Sequence, residues 1–136
     1  MELSLPSVDL SASLPQVRLL VLFGSRAKGT ATEGSDWDLG VRLSNPNLDA
    51  WSLLSLAVPL AETLSIQSER VDLVNLDRCS PLLGFAVATE GIPLYEEVPG
   101  LFHCFQVKAA KVYADTAKLR QLQKRYMTQM LQQLKQ

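Results

Sequence analysis

The sequence predicts a small α/β (α+β) domain: a mixed β-sheet packed with helices and followed by a long C-terminal helix. Three observations carry this. Strand-like and helix-like hydrophobic patterns alternate along the chain, the order that lays helices against a sheet. Val17–Phe23 is apolar except for Arg18, rich in Leu and Val, and stops at Gly24, as a central strand buried on both faces does. Asp36–Leu43 alternates cleanly, with Trp37, Leu39, Val41 and Leu43 on one face and Asp36, Asp38, Gly40 and Arg42 on the other.

The remaining elements follow in order. Residues 7–14, between Pro6 and Pro15, are a weak helix candidate. Residues 26–29 fit a helical turn, and Thr30–Ser35 has turn chemistry. Asn47 suits a helix N-cap, with Leu48, Trp51, Leu54, Val58, Ala61 and Leu64 following at helical spacing. Pro59 should kink or split that helix, because proline lacks the amide the helix needs. Arg70–Leu76 reads as a third strand. Ser80-Pro81 opens a helix that Gly91 closes. Ile92–Glu96 fits an edge strand, where Pro93 is tolerated. Leu101–Leu134 contains no Pro or Gly and reads as one long helix with a stripe of Phe105, Val112, Leu119, Leu122, Tyr126 and Met130.

A chain of 136 residues is one domain and needs no disulfide or metal to fold. Thirteen basic against fourteen acidic residues do not mark a nucleic-acid binder. The charge is nevertheless unevenly placed. Residues 1–104 hold six basic and thirteen acidic residues, while residues 105–136 hold seven basic residues and Asp115 alone. An acidic body therefore carries a basic tail. The densest apolar run, Leu19–Phe23, is far shorter than the ~18 residues of a membrane span. Met1-Glu2 is unlike the basic start of a secretory signal. Cys79 and Cys104 form no metal or disulfide pattern, which fits a reducing cytoplasm. His103 beside Cys104 lacks the further ligands of a metal site.

One constellation carries chemistry. Gly24-Ser25 ends the buried strand, Asp36-Trp37-Asp38 follows ten residues later, and Asp72 lies on a different predicted strand. A strand-to-helix turn presents backbone amides to phosphate oxygens, and the Ser25 hydroxyl adds a donor. Arg26 and Lys28 put positive charge beside it. Asp36 and Asp38, two apart on a strand, leave from the same face. Paired carboxylates suit Mg²⁺, which also takes substrate phosphates and waters. Asp72 either ligates metal or accepts a proton from an attacking hydroxyl. The implied chemistry is in-line displacement at a nucleotide phosphorus. Each fragment alone is commonplace: a Gly-Ser turn, a solvated Asp-x-Asp, or an Asp72 paired with Arg70. Their joint order is not.

Leu22–Gly29 and Ser35–Val41 together resemble the Gly-Ser-x10-Asp-x-Asp signature of the DNA polymerase β-like nucleotidyltransferases, and Arg70-Val71-Asp72-Leu73-Val74 resembles the strand bearing that superfamily's third carboxylate. In length the chain is similar to the minimal nucleotidyltransferase (MNT) antitoxins paired with HEPN-domain toxins. The resemblance implies a nucleotidyltransferase core over residues 1–98 and a basic amphipathic helix over 99–136. It also implies transfer of AMP from ATP to a tyrosine of a HEPN ribonuclease. Gly24, Ser25 and Arg26 would hold the triphosphate, and Asp36, Asp38 and Asp72 would be catalytic and bind Mg²⁺. A domain this small leaves the acceptor surface to a second protein, with the C-terminal helix as the natural docking element. Two alternatives stay open: neutralisation by docking alone, and nucleotidyl transfer to a small molecule.

Overall fold

The computed structural model describes residues 8–135. Its elements are β1 (Val17–Phe23), α1 (Ser25–Lys28), β2 (Trp37–Leu43), α2 (Ala50–Leu54), α3 (Ala57–Leu64), β3 (Val71–Asn75), α4 (Pro81–Glu90), β4 (Ile92–Glu96), α5 (Leu101–Asp115) and α6 (Ala117–Leu134). A short 3-10 turn, Ser68–Arg70, leads into β3. The strands form one sheet in the order β3-β2-β1-β4. β1 runs antiparallel to both β2 and β4, and β2 runs parallel to β3. Parallel neighbours need a crossover, which α2 and α3 supply.

Both faces of β1 are buried, as its sequence predicts. Val17, Leu20 and Leu22 pack with Leu39, Val41 and Leu43 of β2 and with Leu56, Leu60 and Leu64 around α3. Leu19 and Val21 face the other way, onto Val87 and Ala88 of α4 and Phe102, Phe105 and Ala109 of α5. Val17 and Leu20 share a face although three residues separate them. A register shift between Val17 and Leu19 resets the alternation there, as a bulge does. Among the described residues, ten core side chains, Leu19, Leu20 and Leu22 among them, are less than 2% exposed. Each such burial stabilises by roughly 1.5–3 kcal/mol.

Four expectations need correction. Residues 8–14 are not a helix; they form no regular element and turn at 11–13, and residue 7 lies outside the described residues. Asp9 accepts from the amide and hydroxyl of Ser11, a local bond that competes with helix formation. The N-cap after β2 is Asp49, whose carboxylate accepts from Ser52 N, and not Asn47. The helix beyond it splits, as Pro59 requires, into α2 and α3. The split resets the helical phase. Leu56, Leu60 and Leu64 point inward, whereas Trp51, Leu54 and Val58 are exposed. Lastly, the stretch 101–134 is helical but broken at Thr116. Thr116 Oγ1 donates to the carbonyls of Val112 and Tyr113, the back-bonding that bends helices. Arg120 fixes the bend by donating to Tyr113 O and Thr116 Oγ1 while lying over the Tyr113 ring.

Of the predicted C-terminal stripe, Phe105 alone is buried; α6 has no buried residue. Among the described residues no helix is long and apolar enough to cross a membrane.

Candidate active site

The site forms where β1 ends and β2 and β3 run side by side. Asp38 and Asp72 are register partners across the parallel pair. Neighbouring strands lie about 4.8 Å apart, and paired residues of parallel strands project to the same face. The two carboxylates therefore stand side by side, brought together across 34 residues of chain by one sheet register. Asp36 precedes β2 by one residue and adds its charge to the same group. Asp38 is half-buried, while Asp36 and Asp72 are exposed. Burial pushes the Asp38 carboxyl above the ordinary carboxylate range, and the negative charges of Asp72 and Asp36 push it further.

Gly24 closes the cluster from the β1 side. Phe23 pairs with Asp38, so the next residue bends across the Asp38 carboxylate. Gly24 has φ 73° and ψ −156°, backbone that is essentially glycine-only. A methyl at this position would overlap Asp38 Oδ2 and lie 3.0 Å from its Cγ. Gly24 O then accepts from Ala27 N and Lys28 N, which turns the chain sharply into α1. The first amides of that turn have no intrahelical acceptor by geometry and remain available to a ligand. Gly24, Ser25 and the three acids are thus gathered at one corner, as their order in the sequence implies.

The basic residues lie elsewhere. The Arg26 guanidinium turns back onto the 30–36 loop, donating through Nη2 to Ser35 O at 2.9 Å and Glu33 O at 3.3 Å, and stacks 4.2 Å over the Trp37 ring. Lys28 pairs with Glu90 of α4 at 3.1 Å. Arg70 is not paired with Asp72 but donates to Gly34 O. Sequence reasoning missed this contact. The signal available was a cation two residues ahead of Asp72 in an otherwise acidic body.

The acids suit a hard divalent cation. Asp38 and Asp72 stand in register with Asp36 nearby, and Asp38 is held above its usual pKa first by burial and then by the negative charges of Asp72 and Asp36, a repulsion that a bound cation relieves. Among the described residues no three His, Cys, Asp or Glu enclose a cation by themselves. Such a site leaves coordination positions to substrate oxygens and water, as Mg²⁺ prefers.

The comparisons agree with this geometry. The sequence profile of the polymerase beta nucleotidyltransferases matches residues 8–99. The protein adenylyltransferase MntA of Aphanizomenon flos-aquae (strain 2012/KM1/D3) is 37% identical over 106 residues, covering 74% of this chain and 71% of that protein. A solved toxin–antitoxin structure with AMP-PNP aligns at TM-score 0.70 and 31% identity, over 87% of this chain and 92% of that one. The MNT antitoxin solved in complex with tri-AMPylated Shewanella oneidensis HEPN toxin aligns at TM-score 0.62 and 29% identity, over 84% and 86%. With its profile, its relatives and its acid-lined corner in accord, the chain belongs to the polymerase beta nucleotidyltransferase family, in the branch of the MntA protein adenylyltransferases.

Proposed function

We propose that this protein is an antitoxin that transfers AMP from ATP to a tyrosine of a cognate HEPN-domain toxin and so silences it, in a cytoplasmic setting. The observation that carries the reading is the in-register pairing of Asp38 with Asp72 beside the Gly24 turn. The relatives named adenylyltransferase, and the solved neighbours with AMP-PNP or a tri-AMPylated toxin, support the substrate and partner.

The chemistry is a displacement at the α-phosphorus of ATP. A bond forms from the tyrosine oxygen to phosphorus, the bond to the bridging oxygen of the β-phosphate breaks, and pyrophosphate leaves. Asp36, Asp38 and Asp72 are the residues to hold Mg²⁺, which when bound neutralises charge on the triphosphate. Asp72 is also the residue we expect to accept the hydroxyl proton. Its neighbour Asp38 is the more buried of the pair, and Asp72 keeps the solvent-facing position an incoming acceptor can reach. The Gly24-Ser25 turn offers amides and a hydroxyl to the departing phosphates.

The core over 1–98, completed by the first half of α5, performs this step, and the rest of the helical segment to residue 136 serves docking. The first half of α5 completes the core, whereas Leu119, Leu122, Tyr126 and Met130 of α6 are 45–64% exposed on a basic helix. That exposed stripe also favours a second reading, neutralisation by docking alone. Incubation of the purified chain with ATP, Mg²⁺ and cognate toxin decides between them. Transfer predicts AMP adducts on a toxin tyrosine by mass spectrometry and their loss when Asp36 and Asp38 are both changed to Ala. An unmodified toxin, or full protection of cells by the double variant, favours docking.

A further inference from the structure

Three consecutive carbonyls of the loop before Asp36 are taken by two guanidinium groups. Arg26 Nη2 donates to Glu33 O and Ser35 O, and Arg70 Nη1 donates to Gly34 O between them. The two arginines come from opposite flanks of the site. Arg26 sits in α1, directly after Gly24-Ser25, and Arg70 ends the 3-10 turn that feeds β3 and Asp72. Arg26 also sits over the ring of Trp37, the residue between Asp36 and Asp38. Within the loop, Thr32 N donates to Ser35 Oγ and Ser35 N to Thr32 O, and at its start Thr30 N donates to Ser25 O. Its Thr, Gly and Ser residues give it little stiffness of its own.

We propose that Arg26 and Arg70 are positioning residues, a two-pronged clasp that holds the 30–36 loop so that Asp36 stays beside Asp38 and Asp72. Arginine is the residue type this task needs. A planar fork reaches two carbonyls while its cation sits over an indole, which a lysine ammonium on a flexible stem does not. The Arg26 guanidinium is already engaged: its Nη2 is shared by two carbonyls and its Cζ sits 4.2 Å from the Trp37 ring centroid. It is therefore occupied by the protein and not presented to a triphosphate, in contrast to the ligand role the sequence alone implied for it. A clasp acts on metal affinity through Asp36, whereas a triphosphate ligand acts on ATP affinity.

The test uses the full chain with Arg26→Lys and Arg70→Lys, both of which keep the charge. Amide hydrogen exchange on metal-free and nucleotide-free protein should rise roughly tenfold in residues 30–36 and stay unchanged in β1 and α4. In AMP transfer to the toxin, the Mg²⁺ concentration for half-maximal rate should rise about tenfold, with the KM for ATP at saturating Mg²⁺ unmoved. Loop exchange equal to wild type in both variants overturns the clasp. So does a raised KM for ATP with an unmoved Mg²⁺ requirement, the pattern of a triphosphate ligand. Only the kinetic arm rests on the proposed activity. If the wild-type chain transfers no AMP, that activity fails, and the exchange measurement alone decides the clasp.

Discussion

Replacing Gly24 with alanine tests how tightly the backbone corner and the carboxylate cluster are joined. The perturbation has two parts that the structure separates. The first is conformational: at φ 73° and ψ −156° a residue with a Cβ costs about 1–3 kcal/mol. The second is contact. The added methyl meets the Asp38 side chain, 3.0 Å from Cγ and 3.2 Å from Cβ, and overlaps Oδ2. Ordinary carbon contacts lie at about 3.5–4.0 Å, so Asp38 must swing away or leave its rotamer, which adds about 0.5–1.5 kcal/mol. The sum, about 1.5–4.5 kcal/mol, is a large fraction of a typical stability but below the whole of it. Gly24→Ala should therefore fold, melt about 10 °C lower, and lose AMP transfer by about two orders of magnitude because Asp38 no longer faces Asp72. Gly29 supplies the control. It is also left-handed, at φ 77°, but a methyl there meets nothing within 4 Å. Gly29→Ala should melt only a few degrees lower, at a cost of about 1 kcal/mol, and retain its rate. Equal transfer rates for the two variants would refute the claimed contact between the Gly24 turn and Asp38.

Other consequences follow from the same geometry. Asp38→Asn should abolish transfer yet raise the melting temperature of the metal-free protein at pH 7, a trade of stability for function. The sign follows from the raised Asp38 pKa: burial, then Asp72 and Asp36, make the folded state bind the proton more tightly than the unfolded one. Ionised Asp38 thus destabilises the fold above its raised pKa, and this penalty fades as pH falls through that value toward the unfolded one. The Asn advantage should accordingly vanish in melts below about pH 4, and an advantage that persists there contradicts the linkage. Removal of residues 117–136 should leave the melting temperature nearly unchanged, since α6 buries nothing, while toxin capture in a pull-down weakens at least ~10-fold. Phe105→Ala should cost about 3–5 kcal/mol in a denaturant melt, because Phe105 is 3% exposed between α4 and the sheet; a loss below ~1 kcal/mol would place α5 outside the core.

Periodicity made the sheet legible. The unbroken apolar run of β1 and the strict alternation of β2 are local patterns whose only economical burial is in a sheet, and both strands form where they predict. The proline at 59 and the Ser-Pro start at 80 act through the backbone of their own residues, so they too read correctly without tertiary information. Local patterns also misled. Trp51, Leu54 and Val58 have helical spacing yet face solvent, because two residues between α2 and α3 rotate one helix against the other. Thr116 gave no warning of a break, since whether its hydroxyl bonds back to Val112 and Tyr113 and is held there by Arg120 depends on the folded helix.

By itself the sequence determined the chemical inventory: three acids and a Gly-Ser turn in an order that suits a metal-assisted attack on a nucleotide. Residue type fixes charge and donor character, and the alternation of β2 fixes the face of Asp38, whereas Asp36 precedes the strand by one residue. Tertiary structure alone decided which acid partners which, because the register of two parallel strands joined by a crossover sets Asp38 against Asp72. It alone decided the fate of the cations. A guanidinium on a long flexible stem takes whatever carbonyls and rings the fold brings within reach, and here those belong to the loop before Asp36.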